Sequence, residues 1–227
     1  MRPSIPRLMA ISLISGCAGT GQLSMNTETM DFSLDPVAFR TEGVGFLTPL
    51  SATGQEANRL SLALAFANSL EAGDQEMNVV SLAEVLSAVN QAGLSAEYKS
   101  MVDDYESTGI MEKETLRRVG DVSGARYLSL LELADFDQSA NKRFGIGGLR
   151  VMDTKIASIR LSWQIWDSAN GTIAWEGSDE LHYAYDTGRE KPVSFGFVAD
   201  RAAANLISQI PVAHQAAEPS PSVASAR

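Results

Sequence analysis

Cysteine is almost missing from this chain of 227 residues: one thiol, Cys17, stands beside two histidines, His182 and His214. That leaves packing, not disulfides, to hold the fold. The two histidines form no His-x-x-x-His or His-Glu-x-x-His pair, so zinc chemistry of that kind is excluded. A Gly-x-Ser-x-Gly nucleophile elbow is also absent; Val193-Ser-Phe-Gly196 lacks the leading glycine. Gly145-Ile-Gly-Gly148 has the glycines of a phosphate cradle but no following Gly-Lys-Ser/Thr, and reads as a mobile hairpin loop. Asp103-Asp104 and the pair Glu112 and Glu114 have no adjacent apolar pocket to raise a pKa, and read as solvated helix surface. Basic charge is scarce too. The chain holds 18 Lys and Arg against 28 Asp and Glu, a formal net charge of -10. Such a body does not displace counterions from phosphate, which argues against nucleic acid, and it is not drawn electrostatically to anionic lipid. No catalytic residue, no cofactor and no metal is expected, and the chain reads as non-enzymatic.

Long apolar runs are missing as well. The run Leu8-Met-Ala-Ile-Ser-Leu-Ile14 has seven residues, whereas a bilayer-spanning helix needs about 20. Arg2 and Arg7 precede it and Ser15-Gly16-Cys17 follow it, which is the layout of a secretory signal peptide. Ile14-Ser15-Gly16-Cys17 resembles the lipobox of bacterial lipoproteins. The resemblance implies cleavage before Cys17 and lipid attachment (palmitate among the chains) to that residue. Three acyl chains would hold the protein at a membrane where one would bind only reversibly, since each buried methylene contributes about 0.8 kcal/mol. Ala18 in place of Asp after the cysteine implies, by the same resemblance, the outer membrane with the domain facing the periplasm. Loss of Arg2 and Arg7 lowers the basic count from 18 to 16 against 28 acids, near -12 for the mature chain. Once acylated, Cys17 leaves no thiol for nucleophilic catalysis.

What is present is a core of ordinary size: 44% of residues are hydrophobic and 20% charged. Residues 1–16 read as the leader and 17–41 as the acylated cysteine and a flexible tether, ordered late around 32–39. Residues 42–211 read as a single α/β domain, and 212–227, rich in Ala, Ser and Pro, as a disordered tail. A strand is predicted over 43–47 and a helix over 55–71, with Leu60, Ala63, Leu64, Ala67 and Leu70 as its stripe. A short strand follows at 78–80. Ser81-Leu-Ala-Glu84 is a capping box for a helix that buries Leu82, Val85, Leu86 and Val89. Helices carrying Tyr98 to Tyr105 and Leu116 to Val119 come next, then an inner strand over 126–133 and a flexible stretch over 137–153. Ala157, Ile159, Leu161, Trp163 and Ile165 alternate along a strand. Asn170-Gly171 signals a tight hairpin turn, and a return strand and a closing helix over 193–207 complete the order β-α-β-α-α-α-β-β-β-α. The fold class is α/β (α+β): a mixed sheet with an antiparallel C-terminal meander and helices covering mainly one face.

Two phrases carry a second resemblance. Trp166-Asp167-Ser-Ala-Asn-Gly171-Thr-Ile-Ala-Trp175 and Gly124-Ala-Arg-Tyr-Leu128 are similar to segments of a group of envelope lipoproteins. That group includes the penicillin-binding-protein activators, the curli secretion channel subunit and the N-terminal domain of the TolB protein. The resemblance, over about 43–210, implies an adaptor, activator or assembly factor for an envelope complex. The alternative it implies is a homo-oligomeric component of a secretion or transport assembly. Residues 137–153 offer no pair of alternating segments about 9–11 residues long, so no membrane pore is expected. Partner contact is expected from surface aromatic side chains. Trp166 is out of phase with Trp163 and shares a face with Arg160, which marks both as candidates; cover by a helix or by the tail is the other reading of Trp166. Unpaired sheet edges offer a second route to a partner.

Overall fold

A computed structural model describes residues 21–146, 149–187 and 193–211. The lipidation motif at Cys17, His214 and the tail over 212–227 lie outside the described residues. Strands β1 (Gln22–Asp31), β2 (Val44–Phe46), β3 (Leu50–Ser51), β4 (Val79–Val80), β5 (Tyr127–Ile146), β6 (Leu149–Asp167) and β7 (Thr172–Thr187) form one sheet. Its order is β1-β7-β6-β5-β2-β4, with β3 pairing a further stretch of β5. β2 runs parallel to β4 and β5, while β5, β6, β7 and β1 are antiparallel. The helices are α1 (Pro36–Thr41), α2 (Arg59–Gly73), α3 (Leu82–Gln91), α4 (Ser95–Thr108), α5 (Lys113–Ser123) and α6 (Phe195–Ser208). With β1, α1 and β3 set aside, this is the order expected from the sequence.

Local chemistry explains the boundaries. Asp35 caps α1 by accepting from the amides of Val37 and Ala38, with Pro36 at the first turn. The capping box at Ser81 forms in full: Ser81 accepts from the Glu84 amide and Glu84 accepts from the Ser81 amide. Gly109 and Gly124 end α4 and α5 at φ of 74° and 72°, values that favour glycine.

Three sequence expectations give way. The tether over 17–41 is structured from Gln22 onward: β1 pairs with β7 along all ten of its residues, and α1 follows. An edge strand held by backbone pairing needs no apolar alternation, so its pattern carried no strand signal. Of the flexible stretch over 137–153, residues 137–146 belong instead to β5 and 149–153 to β6, paired antiparallel. Register shifts at Leu133/Asp135, Lys142/Phe144 and Phe144/Gly145 break the period of two that would have revealed it. The Asn170-Gly171 turn is longer than a two-residue primed turn. Among the described residues only glycines have positive φ, and Gly171 (φ 72°) donates to the Asp167 carbonyl at 2.8 Å.

α1, α2 and α6 pack on one face of the sheet, α3, α4 and α5 on the other. The first core centres on Trp163, whose ring meets Phe66 at 5.0 Å and Trp175 at 5.3 Å, edge to face. Buried Ser129 accepts its indole N–H at 2.7 Å, which satisfies the one polar atom of that side chain. The second core joins Leu128 and Leu130 of β5 to Val85, Tyr98, Met101, Leu116 and Trp166. This second layer lies over the β5 half of the sheet. Beyond it the meander keeps helices on one face only.

Candidate functional site

The two resembling phrases meet at one point. Arg126 donates to Asp167 through Nη2 (2.9 Å) and Nε (3.3 Å), and through Nη1 to Glu42 at 3.0 Å. Asp167 also accepts from the Ala169 amide at 3.0 Å and from Asn170 Nδ2 at 2.8 Å. Burial alone would push its carboxyl up, but the Arg126 hydrogen bonds and charge outweigh it and hold the carboxyl below the usual range. Ala125 and Leu128 are buried, as is Trp175. These residues build the turn and the strand entry, and their role is structural.

Among the described residues, one face of the meander is left uncovered by helices. Residues directly opposite on paired strands share a face. One row across β5, β6, β7 and β1 reads Glu132, Ser162, Ser178, Glu28. On one side of it lies Leu130, Gln164, Glu176, Met30; on the other lie Asp135, Arg160, Glu180, Asn26, then Asp137, Ser158, His182, Ser24. Six carboxylates thus share these four rows with one arginine and one histidine. The serine row is the low floor of the face, and Glu28, Met30, Ser162, Gln164, Glu176 and Ser178 border a shallow cleft of about 350 Å³ there.

Gln164 marks where helix cover stops. Its Oε1 accepts from Tyr105 Oη of α4 at 2.7 Å and from Trp166 Nε1 at 3.1 Å, which turns its amide nitrogen toward Glu176 at 3.4 Å. Burial, with the charges of Glu132 and Glu176 nearby, raises the Tyr105 phenol above its ordinary pKa, so it stays a donor. Trp166 itself is only 6% exposed, packed edge to face on Tyr105 at 6.1 Å. Of the two readings of Trp166, helix cover is the one this geometry gives, and Trp166 is not an exposed anchor. Arg160 is exposed on the open face, as expected.

The remaining candidates stand apart from one another. His182 is exposed with Nε2 3.1 Å from Glu180 Oε1. Asp103 pairs with Lys99, Glu114 with Arg117, and Glu112 caps α5. Among the described residues no three of His, Cys, Asp and Glu converge as metal ligands, and no helix is long and apolar enough to cross a membrane. The acidic rows escaped sequence reasoning because four strands supply them, one of which carried no strand pattern. The only signal in the sequence was the chain's overall negative charge.

Neither a protein-family model nor a curated protein matches the chain. Solved structures similar to it include the PelC dodecamer from Paraburkholderia phytofirmans, with 14% identity over 83% of this chain and 96% of that one, TM-score 0.42. Lipoprotein GNA1162 from Neisseria meningitidis aligns with 15% identity over 74% and 96%, TM-score 0.40. The LpoB C-terminal domain from Salmonella enterica aligns with 16% identity over 62% and 82%, TM-score 0.34. These likenesses are of outline. The fold and its open face define a mixed α/β domain that presents a polar, acid-rich sheet surface bounded by an edge strand that, among the described residues, is paired on one side only.

Proposed function

We propose that this protein is a lipid-anchored envelope lipoprotein that acts without catalysis, as an adaptor or activator that docks another envelope protein on the open face of its sheet. The leader with Cys17 supports the anchor. The observation that carries the docking role is the uncovered half of the meander, where six carboxylates face solvent beside a free strand. Antiparallel sheets can leave one face in water; here Asp135 and Glu180 flank Arg160, while Glu28, Glu132, Glu176 and Asp137 have no basic register partner, so the face carries net negative charge. Such an arrangement is retained where a complementary surface meets it, because charge complementarity steers encounter and fixes register.

A photocrosslinking residue at Ser162 or Ser178, tested in cells, should capture one envelope protein; the same residue at exposed Asn68 of α2 should not. Equal capture at both faces, or recovery of only abundant porins at Ser162, sinks the docking role.

A further inference from the structure

We infer that the outer edge of β1 receives an extended, lysine- or arginine-bearing segment of the partner protein, which adds as one more antiparallel or parallel strand and sets its basic side chains beside Glu28 and Glu176. This rests on the open face being the docking surface; it adds the partner's chemistry and its mode of binding.

β1 is the last strand of the sheet, paired on one side only and over ten residues without a register shift. On its other side alternate backbone N–H and C=O groups point outward, and among the described residues no strand meets them. Sheet edges are ordinarily blunted by lysine, by proline, by a bulge or by shortness. β1 is long, unbulged and free of lysine and proline, and its only charges are the acids Glu28 and Asp31: its sequence is Gln-Leu-Ser-Met-Asn-Thr-Glu-Thr-Met-Asp, and nine of its ten residues are exposed. A partner strand would lie about 4.8 Å beyond it, with its open-face side chains next to Asn26, Glu28 and Met30. From there an amine or guanidinium reaches Glu28 directly and Glu176 across Met30, its register partner. The cleft bordered by Glu28, Met30, Gln164 and Glu176 leaves room for it.

Charge decides between a basic partner and a second copy of this chain. Antiparallel pairing of β1 with β1 of another copy places the two-fold axis perpendicular to the sheet. Both open faces then lie on one side of a continuous sheet and bring their carboxylates together, in a protein whose net charge is already -10. A basic strand meets the same surface with opposite sign.

The test uses the full-length chain in a non-ionic detergent. The probe is an eight-residue peptide, Thr-Lys-Val-Lys-Thr-Lys-Val-Thr, capped at both ends, with a counterpart in which glutamate replaces lysine. Amide hydrogen exchange and anisotropy titration are the readouts. The lysine peptide should slow exchange over 22–31 and bind more weakly as salt rises. Combining Glu28→Gln with Glu176→Gln should weaken it roughly threefold to tenfold, the range for exposed charge pairs, with the thermal midpoint unchanged. Glu28→Lys should weaken it further. Equal binding of the glutamate peptide overturns the inference, as does protection of 22–31 that grows with protein concentration in the absence of peptide. Binding of the lysine peptide that leaves 22–31 unprotected overturns the strand addition and keeps the open face as a docking surface. No binding of the peptide, with a partner still captured at Ser162, overturns the basic-strand chemistry alone.

Discussion

Asp179 lies on the core side of β7, 1% exposed, between β1 and α6. Its Oδ1 accepts from Thr27 Oγ1 at 2.8 Å and from Asn205 Nδ2 at 3.1 Å, while Oδ2 is buried without a partner among the described residues. Burial pushes this carboxyl up, more than the two hydrogen bonds pull it down. Because the folded protein holds the proton more tightly than the unfolded chain, the contribution of Asp179 to stability is fully present below the unfolded pKa. It is lost as pH rises through the raised folded value. Asp167 has the opposite sign: Arg126 lowers its pKa, so its contribution is present above the unfolded pKa and lost in acid. Asp179→Asn keeps the acceptor for Thr27 and Asn205 and removes the buried charge. It should therefore stabilise the protein by about 1 kcal/mol at pH 8, or roughly 2–4 °C in thermal midpoint, with the gain shrinking toward pH 4. Thermal melts of the two proteins across that range check it; a gain that grows in acid, or a loss at pH 8, would refute the assignment.

At the scale of elements, α2 shows what a sequence pattern resolves and what it leaves open. Its existence was plain, but Ala and Leu recur all round it, so the three-and-four spacing selects no face. Of the stripe Leu60, Ala63, Leu64, Ala67 and Leu70, the members Ala63, Ala67 and Leu70 are buried and Leu60 and Leu64 are not. Leu60 is 70% and Leu64 59% exposed, whereas Leu62, Ala63, Ala65, Phe66, Ala67 and Leu70 are buried. Leu60→Lys with Leu64→Lys should change stability by no more than about 0.5 kcal/mol, while Phe66→Ala, which empties the space beside Trp163, should cost about 3–5 kcal/mol. Urea unfolding of both variants decides it, and the reverse order would restore the stripe. Elsewhere the legible parts were those with local chemistry: the Ser81 box and the alternation from Ala157 to Ile165. The polar edge β1 and the bulged outer hairpin were illegible, because backbone pairing with distant strands forms them. The acidic rows followed the same fate. Glu28 and Glu176 become diagonal neighbours, and Glu132 comes to share their face two strands from Glu176, only through register.

For the whole molecule, the ordering of β1 changes how far the domain can stand from its anchor. A tether over 17–41 would have let the domain range widely, but β1 starts at Gln22, five residues after Cys17. Five fully extended steps span at most about 18 Å, so an acylated Cys17 keeps the start of β1 within that distance of the lipid headgroups. The Gln22 end of the edge strand is then membrane-proximal, and the strand and the open face beside it extend from there by at most the roughly 30 Å length of β1. The acidic body, repelled by anionic lipid, contributes nothing to this placement; under the proposed anchoring, the acyl chains alone would hold it against the surface. Gln22→Cys makes the geometry measurable, since acylation blocks Cys17 and leaves the new thiol as the only one to label. A fluorophore at that site should be quenched strongly by spin-labelled headgroups in membranes, and a 20-residue Gly/Ser insertion directly before position 22 should relieve most of the quenching. Washing with 1 M salt should leave the quenching unchanged, because at about 3 Å the screening length is too short for charge to contribute. Labelling of both thiols would show Cys17 to be free, and quenching that survives the insertion would place the contact in the domain instead of the anchor.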